Sequence, residues 1–128
     1  ELGTGKTTLA RGIGRGWGAA RRVTSPTFTL IHEYPRARDG RRLYHVDCYR
    51  LTRAAEVETL ALDDLLDQGG AMMIEWPEII QAYLPADRLW MAMRHLNETR
   101  RGLRLTASGP RSTELLKAFR FRAFGIRD

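Results

Sequence analysis

The run Gly3-Thr4-Gly5-Lys6-Thr7-Thr8, followed at once by an amphipathic segment, restricts what this chain can fold into more than any other stretch. Glycines let a backbone curl until successive N–H groups face one anion, and Gly3 and Gly5 supply that freedom. Leu9, Ala10, Ile13 and Trp17 then recur at helical spacing, so the helix that starts near Gly5 adds its unpaired N–H groups and the positive end of its dipole. Lys6 brings a full positive charge to the β- and γ-phosphates, the Thr7 hydroxyl is placed to ligate Mg²⁺, and Thr8 reaches toward the α-phosphate. Thr4 sits between the two glycines of this phosphate loop. The full pattern starts with a glycine that would stand immediately before Glu1, with an apolar strand ahead of it, so the sequence is expected to open inside the motif. Gly12, Gly14 and Gly16 each weaken the following helix by roughly 1 kcal/mol relative to alanine, so packing must hold it.

Composition narrows the setting. Hydrophobic residues are 43% and charged residues 28% of the 128, enough for a buried core and against wholesale disorder. No apolar stretch is long enough to span a membrane. Cys48 is alone, which excludes an intrachain disulfide and makes a cytoplasmic setting the default. With no repeat, low-complexity tract or Ser/Pro-rich linker, a single domain over 1–128 is expected. Charge is uneven: residues 1–99 carry 13 bases and 13 acids, so the whole excess of +6 lies in 100–128. That arginine-rich end suits RNA or an acidic partner, or is simply a solvated surface. Of 21 cations 19 are arginine, which sets Lys6 apart as a compact ammonium.

The remaining pattern predicts a mixed α/β fold. Phe28, Leu30, His32 and Tyr34 alternate, 43–50 alternates again, and Asp39-Gly40 between them signals an antiparallel hairpin. Val57, Leu60, Ala61 and Leu65 mark a helix that Thr52 caps and Gly69-Gly70 ends. Ala71-Met72-Met73-Ile74 reads as a strand buried on both faces, and Pro77 as the first residue of a helix closed by Pro85. A second hairpin turns near Asn97, and Leu115, Leu116 and Phe119 indicate a terminal helix.

Two strands end in an acid, Tyr44-His45-Val46-Asp47 and Met72-Met73-Ile74-Glu75. Phosphoryl transfer needs a metal on the phosphates and a group that orients the nucleophile. Glu75 is assigned to the metal, directly or through water, and Asp47 to water positioning, with exchange of these roles left open; the alternative for each is an ordinary ion pair at a strand end. Ser25-Pro26-Thr27-Phe28-Thr29 reads either as a switch-like loop that senses the γ-phosphate or as a turn into the hairpin. A hairpin symmetric about Asp39-Gly40 sets His32 opposite Asp47. His32, His45 and His95 lack metal-ligand spacing and read as structural, Cys48 as core, and Trp76 as lining the site.

Taken together, Gly3-Thr4-Gly5-Lys6-Thr7-Thr8, Ser25-Pro26-Thr27-Phe28-Thr29, Tyr44-His45-Val46-Asp47-Cys48-Tyr49-Arg50-Leu51 and Ile74-Glu75-Trp76-Pro77-Glu78 resemble, in order and spacing, the TsaE family of small bacterial ATPases. The resemblance runs from Glu1 to about Thr106. It implies a P-loop NTPase-like fold with a mixed sheet, binding of ATP and Mg²⁺, and action with TsaB and TsaD in making threonylcarbamoyladenosine in tRNA. It further implies that Thr7 and Glu75 are metal ligands, that Asp47 is essential for hydrolysis, that Thr27 lies in the switch-like loop, and that Arg100 of the last hairpin approaches the nucleotide. The tail after Ser108 carries no motif of the family.

Two other readings compete. A P-loop small-molecule kinase requires an arginine lid and an acceptor pocket, neither of which is legible. A non-hydrolysing RNA-binding adaptor would use the basic end alone. A Ras-like GTPase lacks its Asn-Lys-x-Asp motif here, since Asn97 is the only asparagine.

Overall fold

The computed structural model describes residues 5–23, 31–49 and 62–127. They fall into two compact units, Gly5–Ala82 and the stretch from Tyr83 onward. Gly3, Thr4 and Thr27, the Ser25–Thr29 loop, and Thr52, Val57, Leu60 and Ala61 of the expected capped helix lie outside the described residues.

In the first unit, α1 spans Lys6–Trp17. β1 (Ile31–Pro35), β2 (Arg42–Asp47) and β3 (Ala71–Glu75) form a sheet in the order β1-β2-β3. β1 and β2 are the antiparallel pair expected from the alternation, and β2 and β3 run parallel, with Asp47 paired to Glu75. Partners in register share a face. One face therefore carries Tyr34, Leu43, Ala71 and Met73, and α1 lies on it through Ala10 and Ile13, with Val23 in the same apolar cluster. Gly14 makes that closeness possible: a Cβ there would collide with the Val23 side chain, whereas Gly12 and Gly16 face open space. Tyr44 and Val46 point to the other face, where the Tyr44 hydroxyl donates to Gln68 just after α2 (Leu62–Asp67). Every residue of β3 is half-buried, not buried on both faces as its unbroken apolar run suggests.

Two details depart from the sequence reading. The β1–β2 hairpin is centred one residue earlier than Asp39-Gly40, so His32 pairs with His45 and not with Asp47. The cause is side-chain chemistry in the loop: Arg36 forks onto both carboxylate oxygens of Asp39 at 2.7 Å, Asp39 Oδ1 also accepts the Arg41 N–H, and the Gly40 N–H returns to Arg36 O at 2.9 Å. The helix expected from Pro77 is a 3₁₀ helix, Pro77–Tyr83, in place of an α-helix.

The second unit is an antiparallel hairpin, β4 (Leu89–His95) and β5 (Arg101–Ala107), with α3 (Pro110–Phe124). It turns at Asn97, as expected, because Asn97 Oδ1 accepts the N–H groups of both Thr99 and Arg100 at 2.9 Å. Asp87 caps α3, accepting the Arg111 and Ser112 N–H groups at 2.8 and 2.9 Å. Gly109 has no side chain to obstruct that carboxylate.

Candidate functional site

Gly5 precedes α1 with φ 102°, a conformation open to glycine and strained for other residues, and it turns the chain into the helix. Lys6 and Thr7 follow as half-buried residues and Thr8 as an exposed one. The Lys6 ammonium stands 3.6 Å from the centre of the Trp76 indole, a cation–π contact. Trp76 comes directly after the last residue of β3. The first residue of α1 and the end of β3 therefore meet, at the C-terminal ends of the parallel strands β2 and β3. Ligands of open α/β sheets bind at such ends.

Trp76 has φ 56°, the one non-glycine residue with positive φ among the described residues. A non-glycine residue held there costs on the order of 1–3 kcal/mol, and such strain clusters at functional sites. Two contacts hold it, Lys6 on its face and the Tyr49 ring at 5.1 Å. The ladder continues past the strand ends, since the Cys48 N–H donates to Glu75 O at 3.0 Å.

Asp47 and Glu75 are neighbours in register on the α1-covered face, and among the described residues each carboxylate is tethered through one oxygen. Asp47 Oδ1 accepts the Tyr49 N–H at 2.9 Å, a tight local turn. Glu75 Oε2 lies 2.6 Å from His45 Nε2. A carboxylate only accepts, so the hydrogen is assigned to Nε2. His45 is 1% and the Glu75 side chain 15% exposed. Sequence reading treated His32 and His45 alike as structural, and set His32 beside Asp47 only for a hairpin symmetric about Asp39-Gly40; His32 Nδ1 faces the Tyr34 hydroxyl at 3.3 Å. Burial, with the nearby His45 and Arg21, lowers the His32 pKa. The signal for His45 was available: on a strand ending at Asp47 it shares that residue's face, and a parallel partner ending in Glu75 brings the second acid alongside.

Cys48 is buried, as expected, and burial, with Asp47 and Glu78 nearby, pushes its thiol up to about 11. Among the described residues no three His, Cys, Asp or Glu side chains gather as metal ligands. A magnesium–nucleotide site needs fewer, because the cation keeps several waters and takes one or two protein oxygens plus phosphate. Arg100 lies at the β4–β5 turn of the second unit and is exposed.

The sequence profile of the family described as "Threonylcarbamoyl adenosine biosynthesis protein TsaE" matches residues 1–103. The chain belongs to the TsaE family. It is 40% identical over 112 residues to the tRNA threonylcarbamoyladenosine biosynthesis protein TsaE of Bacillus subtilis, covering 87% of this chain and 68% of that protein. Its likeness to the Streptomyces coelicolor TsaE is 47% over 90 residues, covering 70% of this chain and 60% of that one. The crystal structure of Bacillus subtilis YdiB matches with a TM-score of 0.72 at 33% identity, over 96% of this chain and 74% of that chain. The fold is thus mixed α/β, as the sequence pattern predicts, and P-loop NTPase-like, as the family resemblance implies. No helix among the described residues is long and apolar enough to cross a membrane.

Proposed function

We propose that this TsaE-family chain binds ATP with Mg²⁺ and hydrolyses the nucleotide in the cytoplasm, in support of TsaB and TsaD as they make threonylcarbamoyladenosine beside the anticodon of tRNA. The observation that carries this reading is the meeting of Lys6 with the β3 end at Trp76, which puts an ammonium, a helix N-terminus and two tethered carboxylates at one corner of the sheet. That donor set suits a magnesium nucleotide: amides and ammonium for phosphate oxygens, carboxylate and hydroxyl for a hard cation.

On this reading Gly3, Thr4, Gly5 and the first turn of α1 wrap the phosphates, Lys6 holds the β- and γ-oxygens, and Thr8 the α-phosphate. Thr7 and Glu75 hold the metal. Bound Mg²⁺ supplies charge neutralisation on the phosphates. Asp47, anchored through Oδ1, orients the attacking water with Oδ2, while Thr27 senses the γ-phosphate. Trp76 lines the pocket and gives up its contact with Lys6 when phosphate competes for the ammonium. Arg100 approaches the nucleotide from the last hairpin. The arginine-rich stretch 100–128 contacts tRNA phosphates, which filter binding across a salt series tests through its slope.

The decisive experiment compares ATP binding by calorimetry and ATP turnover in the full-length protein, with and without TsaB and TsaD, for wild type, Lys6→Ala, Asp47→Ala and Glu75→Ala. Lys6→Ala is expected to lose binding, and the acid variants to bind but turn over slowly. Wild-type turnover in all three would overturn the assignment.

A further inference from the structure

The His45–Glu75 bond asks for an explanation that packing does not give. His45 sits in the middle of β2 with almost no exposure, and its Nδ1 is buried with no hydrogen-bond partner among the described residues. An apolar ring of similar volume would fill that space without burying an unpaired polar atom, so as a core filler histidine is a poor choice. Its one polar contact among the described residues is Glu75 Oε2, at 2.6 Å, a close hydrogen bond.

We propose that His45 is a positioning residue for the Glu75 carboxylate, an inference that rests on the reading of this corner as a magnesium–nucleotide site. The imidazole is fixed by burial and by its strand, and it occupies Oε2. Glu75 is left to meet the cation, or a water on it, through Oε1 alone. Single-oxygen ligation is what Mg²⁺ favours, because its tight octahedral shell accommodates a two-oxygen carboxylate bite badly. Hydrogen bonds from a neighbouring side chain commonly orient metal-binding carboxylates in this way. Asp47 is held by a backbone amide instead, so the two acids are immobilised by independent means.

The test uses full-length protein and a fluorescent ATP analogue, titrated with Mg²⁺ and separately in EDTA. His45→Phe and His45→Asn remove a donor at the Nε2 position, whereas His45→Gln keeps an N–H near it. Nucleotide affinity in EDTA is expected to stay at the wild-type value in all three. The Mg²⁺ concentration for half-maximal tightening is expected to rise about 10-fold or more in the first two and to be largely restored in His45→Gln. A folded His45→Phe or His45→Asn protein with wild-type Mg²⁺ dependence overturns the proposal. If neither folds, the native protein decides: the His45 Nε2–H resonance is expected to shift when Mg²⁺ joins the nucleotide-bound form, and an unmoved signal overturns it. Failure of wild type to bind the analogue at all would instead strike the nucleotide reading itself.

Discussion

The stretch Gly5–Ala82 and the stretch from Tyr83 onward use similar residues to opposite ends. In the first, Tyr34, Leu43, Tyr44, His45 and Val46 are all buried, and the two carboxylates Asp47 and Glu75 stand at strand ends. In the second, Leu103, Leu115, Phe119, Phe121 and Phe124 are exposed, Phe124 by 69%. A three-stranded sheet with a helix laid on it can enclose side chains; a two-stranded hairpin with one helix has too little surface to do so. Chemistry that needs fixed geometry therefore belongs to the first region, and the charge excess of the chain to the second.

The sharpest way to break this division is to delete one charge from each region. Asp47→Ala should cut kcat by roughly 10²-fold or more with nucleotide affinity retained, while Arg104→Ala, on an exposed strand, should leave turnover within about twofold. Comparable losses from both would erase the distinction. Alkylation of Cys48 probes the same contrast from inside the first unit. With its thiol pushed up to about 11 from an ordinary 9.0, the thiolate fraction at neutral pH should be about 100-fold below that of an open cysteine. Rapid labelling of native protein at pH 8 would show that this interior is not closed.

Next in size come the helix glycines. Gly14→Ala should cost about 1–3 kcal/mol in a denaturant titration through overpacking against Val23. Gly12→Ala and Gly16→Ala, which meet nothing, should each gain up to about 1 kcal/mol. The smallest effect concerns Asp87. Hydrogen bonds from the Ser112 side chain, then from the Ser112 and Arg111 amides, hold its carboxyl below the usual carboxylate range. A folded-state pKa below the unfolded one gives stability that is present above about pH 4 and lost as pH falls through the lowered value. Thermal melts of wild type and Asp87→Asn should accordingly differ at pH 7 and converge toward pH 2.

Much of this was legible beforehand because it is local. The Gly5–Trp17 loop-and-helix, the two hairpins and the carboxylates at strand ends all follow from spacing within a dozen residues or so. What escaped depends on side chains meeting across distance or on loop chemistry. The Arg36–Asp39 fork moved the hairpin register and with it the partner of His32. Gly14 looked like a defect until Val23 was found against it. Pro77–Tyr83 has helical sequence but winds as 3₁₀, a difference that periodicity over seven residues is too short to register.

The parallel pairing of β2 with β3 also bears on how the chain reaches this state. β1 and β2 zip through a short loop, but His45 and Glu75 are 30 residues apart in sequence and meet only once the crossover closes. Contacts of that span are paid in loop entropy before they return anything, so they are expected late on the folding path. A nascent molecule would then possess its hairpin well before it possesses a working pair of acids, and pulse-labelled amides of 71–75 should gain protection after those of 31–35.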